Sequence, residues 1–531
     1  MKKEIPMKFA GAVLLNLLLL ASAGCDTDEI YAEDISVGTV ETLKNGVAVH
    51  KTADDTIHYF DGDIKSPKMF QLFAPKAGEK IVWMKVGPES ENATQLFVLT
   101  APKDERDSSI TEQLYRVTTD KKAPTVYSVE SQFDAIVFSP DKHFAILYHG
   151  SDNVASGLYN PNEVALVDLT VKPGNSNPKI LSVSMDGRKI DMVTFVESIH
   201  VGGTERQLAV FTAGSIVRIV DLNDPENTWA KVPLLPSGDT SGFVAAQLIA
   251  LDETEGCDNA SCEAKLFIRS PNTQDIYYIT LGRSPEGFEG VQTKQLEAGG
   301  YPSAMELIRD GETPLMAILS WASGLTKITI VDFDTSAAFD ITINDTATHM
   351  KLLTSEESGD KLALWGDYAS SVYFLTATDL IVEKGRNLTS FVIQGGISYA
   401  KELSGNRLLI VQNNQDVVLL DLAEEKAAML SSSGGYDWQR AEMYKDFFYV
   451  VPSTSDRVDY YNLTSGSPDS LLLDDLCLSM HILTGRNTGL VWHNTKTGRV
   501  TLFPLSSPTR AKAKVVDGLW LTGSLNAKGE N

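Results

Sequence analysis

Short apolar runs rich in β-branched side chains recur along the chain, and the clearest of them end in an Asp followed by Leu or Phe. They occupy residues 164–169, 216–222, 328–333 and 417–422, with weaker copies at 277–281, 460–463 and 502–505. Alternation of this kind predicts β-strands, and the Asp, Asn, Gly and Thr that follow predict turns. A second apolar run precedes most copies, at residues 144–148, 207–211, 315–319, 362–365 and 407–411. One step earlier stands a further strand candidate such as residues 135–138, and after a copy comes a more polar one such as 179–183. The runs are too short for helices, lack a 3.6-residue period, and are broken by Gly, Asn, Asp or Pro roughly every 8 to 12 residues.

Four strands per unit, repeating at roughly 40 to 60 residues, is the signature of β-propeller blades. The expected fold is therefore all-β, built of four-stranded antiparallel blades over residues 37–531. About ten units fit between residues 37 and 517. Propellers usually have about four to eight blades, so the expectation is one ring of eight or more, with two smaller propellers as the alternative. Residues 518–522 are a candidate strand for closing the ring against the N-terminal sheet. Inner strands should be apolar because blades stack face to face, and the outermost strand should be solvated.

One stretch carries a family resemblance. Phe138-Ser139-Pro140-Asp141-Lys142-His143-Phe144-Ala145 resembles the turn of WD40-like propellers, including Tol-system and YVTN-type repeats. It departs from them at Lys142, where glycine is usual. The resemblance covers one blade and implies a fold, not an activity. A β-turn with Pro second and Asp third is also common outside that family.

The N-terminus has its own logic. Lys2, Lys3 and Lys8 precede an apolar run over residues 9–21, and small residues lead to Cys25, so residues 1–24 read as a secretory signal. A cysteine directly after the cut resembles a bacterial lipoprotein signal, in which Cys25 would be lipidated. Ser22 stands where that signal usually has Leu, Val or Ile; the other reading is a secreted protein cut near Ala23 that keeps Cys25 as a thiol. Residues 25–36 carry Asp26, Asp28, Glu29, Glu33 and Asp34 and read as a solvated tether. The implied location is the cell envelope, periplasmic or outer-surface, with the lipid as the sole membrane attachment. Asp26 resembles an inner-membrane retention signal that some bacterial lineages use and others do not.

The formal charge is −24 over 531 residues, and the acid is spread along the chain. A field of that sign repels phosphate backbones, which excludes nucleic acid as a natural partner. It leaves an envelope protein or glycan as the expected partner.

Candidate chemistry is sparse. Cys257 and Cys262 flank a polar loop and, in an exported protein, read as a local disulfide. Cys477 reads as a buried small hydrophobe. The eight histidines have no metal-helix spacing, and no nucleophile elbow, phosphate loop or dinucleotide fingerprint occurs. Asp221, Asn223, Asp224 and Asn227 space oxygen atoms as calcium loops do, but without the glycine and distal glutamate of an EF-hand. A solvated turn is the plainer reading, so no cofactor is predicted. These features favour a non-catalytic binding or scaffold module for protein, peptide or glycan. The alternative is a lactonase-like extracytoplasmic hydrolase with a metal in the central channel. For that, Asp134, Glu306 and Glu402, expected near strand starts, are the candidate carboxylates.

Overall fold

The computed structural model describes residues 37–518 except 89–93, 105–110, 121, 130, 151–161, 171–179, 186–188, 202–203, 236–241, 253–263, 283–287, 289–290, 311–312, 323, 333–336, 355–359, 379, 381–386, 404–405, 415, 432–435, 453–454, 464–466, 494 and 496–497. Ten four-stranded antiparallel sheets follow one another, each with its strands paired in chain order. Numbered as blades 1 to 10, they span residues 37–73, 79–128, 135–184, 192–233, 247–297, 301–343, 349–392, 397–431, 436–472 and 477–516. Among the described residues no helix is long and apolar enough to cross a membrane.

Every seam between neighbouring blades has its own buried apolar cluster. The tenth seam joins blade 10 to blade 1, where Leu490, Trp492 and Leu502 pack against Val47, Val49 and Phe60. Arg486 binds Asp61 across it at 2.7 Å, and the Gly485 N–H donates to the Lys44 carbonyl at 2.9 Å. Ten seams for ten blades make one closed ring; two smaller propellers would need a seam between blades that are not consecutive. Blade 10 is completed by its own fourth strand, Lys514–Val516, so the ring closes by packing of whole blades. Most of the candidate closing strand, residues 519–522, lies outside the described residues.

The second strands explain the apolar runs. Side chains alternate along a strand, and here both directions are buried. Leu315, Ala317 and Leu319 face blade 7, whereas Met316 and Ile318 face blade 5. A strand between two neighbours therefore has no polar side to show. Each fully buried Leu or Ile there contributes roughly 1.5–3 kcal/mol. The fourth strands are solvated, as in Gln292–Glu297, where no residue is buried.

Each first strand runs from an upper face, which holds the links between blades and the turns between second and third strands, to a lower face. The described chain enters at Val37 on the upper face, and the last strand ends there at Val516. On the lower face the WD40-like turn of blade 3 is closed by Ser139 N–H to Phe144 carbonyl and Lys142 N–H to Ser139 carbonyl, both 2.9 Å. Lys142 takes φ +66°, the left-handed conformation that glycine would adopt without a Cβ penalty.

Candidate functional site

Among the described residues, the inner wall of the ring and a cleft on the lower face combine polar side chains with accessible space.

The inner wall is built from the first strands. In each blade, take the second-strand residue that pairs with the end of the third strand, and move two positions up. The first-strand partners at that level are Glu41, Lys85, Val137, Thr194, Ile249, Glu306, Lys351, Lys401, Glu442 and His481, in blade order. Their second-strand partners all pack toward the following blade; for example, Ala48 lies in the blade 1–2 cluster and Phe97 in the blade 2–3 cluster. Directly paired residues share a face, so these first-strand side chains also lean toward the next blade. The contacts agree with this. Lys401 Nζ donates to the Ala441 carbonyl of blade 9 at 3.3 Å, and His481 Nδ1 meets Thr42 Oγ1 of blade 1 at 2.7 Å.

One arc of this wall, blades 3 to 5, is uncharged, and the rest carries both signs. Lys351 Nζ lies 2.6 Å from Glu402 Oε1, with the carboxylate side chain 49% exposed. Glu306 is raised to about 7, chiefly by burial and further by the charge of Glu402. Burial also raises Glu442 and Glu41, with Lys401 and Lys85 respectively opposing it. Glu442 is exposed to solvent yet behaves as desolvated, as expected on a channel wall with protein on several sides. His481 is pushed down to about 4 by burial, and its other nitrogen meets Ser479 Oγ at 3.1 Å.

The three carboxylates expected from the sequence are thus divided. Glu306 and Glu402 share the inner wall two blades apart, near enough for the charge of Glu402 to act on Glu306, although Glu306 sits mid-strand in Tyr301–Asp310 and Glu402 near the end of Ile397–Leu403 rather than at strand starts. Asp134 does precede a strand, but in blade 3, where its Oδ1 accepts the Gly150 N–H at 2.6 Å. The Lys351 ammonium already lies on Glu402, and among the described residues no three His, Cys, Asp or Glu side chains are placed to share a metal ion. Lys351, Lys401, Glu41 and His481 were missed in the sequence. Each is a polar residue inside a first strand, and the offset to the end of the third strand varies from blade to blade (Glu41 to Asp61, Lys351 to Thr376), so no fixed spacing marks them in the sequence.

The lower cleft lies between blades 3 and 4. Blade 4 has a long first hairpin, Met192–Val201 and Thr204–Ala213, whose tip projects below the ring. The projection is held by Ser198 Oγ to Glu205 at 2.6 Å, by His200 to Asp252 of blade 5 at 2.7 Å, and by the buried Arg206–Asp221 ion pair. Between its base and the WD40-like turn is a cavity of about 290 Å³, lined by Pro140, Phe195, Val196 and Leu222 and by Ser139, Asp141, Glu197, Ser198 and Gln207. Burial alone would raise the Asp141 carboxyl. Hydrogen bonds from Ser139, the His143 N–H and Gln207, with the His143 ring nearby, outweigh it and hold the group below its ordinary value.

Other sequence candidates are placed as follows. Asp221 is turned toward Arg206 and accepts the Asn223 N–H at 2.9 Å, while Asp224 Oδ1 accepts from Asn227 at 2.9 Å. Cys477 is buried in the blade 9–10 cluster, where its thiol lies 3.7 Å from the Ser479 carbonyl. Cys25, Cys257 and Cys262 lie outside the described residues.

No family model matches the chain, and no curated protein sequence matches it. Among solved structures, the WD40 domain of SCAP from fission yeast is similar at 11% identity over 68% of this chain and 90% of that one, with a TM-score of 0.37. The dihydro-heme d1 dehydrogenase NirN in complex with DHE is similar at 12% identity over 68% and 71%, TM-score 0.36. BamB from Moraxella catarrhalis is similar at 15% identity over 51% and 78%, TM-score 0.27. The propeller fold of this chain is read from its own ten sheets and ten seams.

Proposed function

We propose that this chain is a lipid-anchored extracytoplasmic propeller that acts as a non-catalytic binding or scaffold module, offering its lower face to an envelope protein, peptide or glycan. The observation that carries the reading is the cleft between blades 3 and 4. Its apolar floor of Phe195, Val196 and Leu222 meets a rim of Asp141, Glu197, Gln207 and hydroxyls. A few placed polar groups over an apolar floor suit recognition of a small protruding group. The acidic rim favours an amine or a hydroxyl-rich body over an anion. Cys25 would hold the module at the envelope through acyl chains, each buried methylene worth roughly 0.8 kcal/mol.

A second reading, a hydrolase of lactonase type working in the channel, is favoured by one observation. Glu306, raised to about 7 by burial and the field of Glu402, can hold a proton near neutral pH, as a general acid must.

The test is crosslinking and capture from intact cells with the native protein, Cys25→Ser, Glu197→Lys and Glu306→Gln. A partner lost with Glu197→Lys and kept with Glu306→Gln supports the cleft. A partner indifferent to Glu197→Lys sinks the cleft as the binding place, and turnover of a lactone or ester abolished by Glu306→Gln would establish the second reading. Cys25→Ser protein that still pellets with membranes would remove the anchor from the proposal.

A further inference from the structure

The face opposite the cleft carries most of the ring's exposed large hydrophobic side chains. At the upper rim stand Tyr301, Trp321, Tyr368, Tyr399, Leu476 and Leu478, with Tyr368 81% exposed. Among the described residues Trp229 is the one exposed large hydrophobic at the lower rim, and there Arg218 lies over its ring at 4.3 Å. Tyr368 is notable for its backbone as well. It holds φ +68°, a conformation that is a genuine outlier for a bulky side chain, and its N–H is pinned to the Ile397 carbonyl at 2.7 Å. The turn between second and third strands of blade 7 thus carries strain and presents an aromatic ring to solvent.

These side chains are distributed over blades 6, 7, 8 and 10 and the link before blade 10, toward the upper ends of their strands, rather than gathered in a groove. The surface that matches such a set is broad and flat. Tyr301, Trp321, Tyr368 and Tyr399 are of the kind that settle where a bilayer meets water, with an apolar ring on one side and a polar tip on the other, and Leu325, Val392 and Leu472 add aliphatic surface at the same upper strand ends. The chain also reaches this face from the anchor side, since Cys25 precedes Val37 by twelve residues, a span of at most roughly 40 Å. We propose that the upper face rests on the lipid bilayer with its aromatic rim in the interfacial zone, so that the lower cleft points away from the membrane. This rests on the lipid-anchor reading above. With a formal charge of −24, the chain would favour a zwitterionic over an anionic lipid surface.

The test places the photocrosslinker p-benzoylphenylalanine at Tyr368 or, as the opposite-face control, at Trp229, in the full-length protein in intact cells. Irradiation should give lipid-mass adducts at least ten-fold more abundant at 368 than at 229. A protein adduct at 368 would make the upper face a protein-docking surface and overturn the proposal. Equal adducts at the two positions, or none at either, would overturn it as well. The mass of the Cys25 peptide from the same sample separates the two claims. An unmodified Cys25 refutes the anchor, whereas lipid adducts at 368 still establish the face.

Discussion

The first and second strands of each blade lie one hydrogen bond apart, yet they obey different rules. In blade 6, Ala317 is fully buried while its partner Glu306 keeps a carboxyl at the inner wall. In blade 5, Phe267 is fully buried opposite Ile249, which is only partly so. The second strand sees protein on both faces and another strand at both edges. The first strand has one edge on the channel, where a charged end reaches water or a partner from the next blade. Depth in the blade, more than type of strand, decides whether a charge is tolerated.

That contrast can be broken by measurement. Phe267→Ala should have the largest effect, costing about 3–5 kcal/mol in denaturant unfolding, because the seam between blades 5 and 6 cannot close over the lost ring. His481 comes next. Its folded pKa of about 4 lies below the unfolded value near 6.5, so its contribution is complete above pH 6.5 and is lost as pH falls toward 4. The loss should be about 1–3 kcal/mol between pH 7.5 and 4, and His481→Gln should flatten that slope.

Glu306 should behave in the opposite sense. Raised to about 7, it is fully tolerated below pH 4.5 and costs stability as pH rises toward 7. Glu306→Gln should therefore stabilise the fold by about 1–2 kcal/mol at pH 8, after allowance for solvent screening, and by little at pH 4.5. Lys351→Met should change stability least, by under about 1 kcal/mol, since Glu402 is half exposed; added salt should shrink even that. Equal costs for Phe267→Ala and Lys351→Met would abolish the distinction between the two strands.

Legibility followed the same division. The runs at residues 164–169, 216–222, 328–333 and 417–422 are third strands or their lower ends, and those at 144–148, 315–319 and 407–411 fall in second strands. They were readable because burial on both faces leaves no choice of side chain. The first strands were harder. Their charges look like ordinary surface residues until the next blade supplies Glu402 for Lys351 or Thr42 for His481, 51 and 439 residues away in the chain. The cleft was half visible. The turn at Ser139 and Asp141 stood out, but its facing wall, Phe195 to Ser198, carried no motif of its own.

The sequence by itself determined the strands, their grouping in fours, a ring of eight or more units and the acidic stretch that follows Cys25, because each of these depends on local periodicity or composition. The tertiary structure decided that ten blades form one ring, which side chains share the inner wall, and that the apolar rim and the cleft lie on opposite faces. Those outcomes depend on how each blade is turned against the next. Such a relation between distant residues is set by packing at the seams, and no local pattern encodes it.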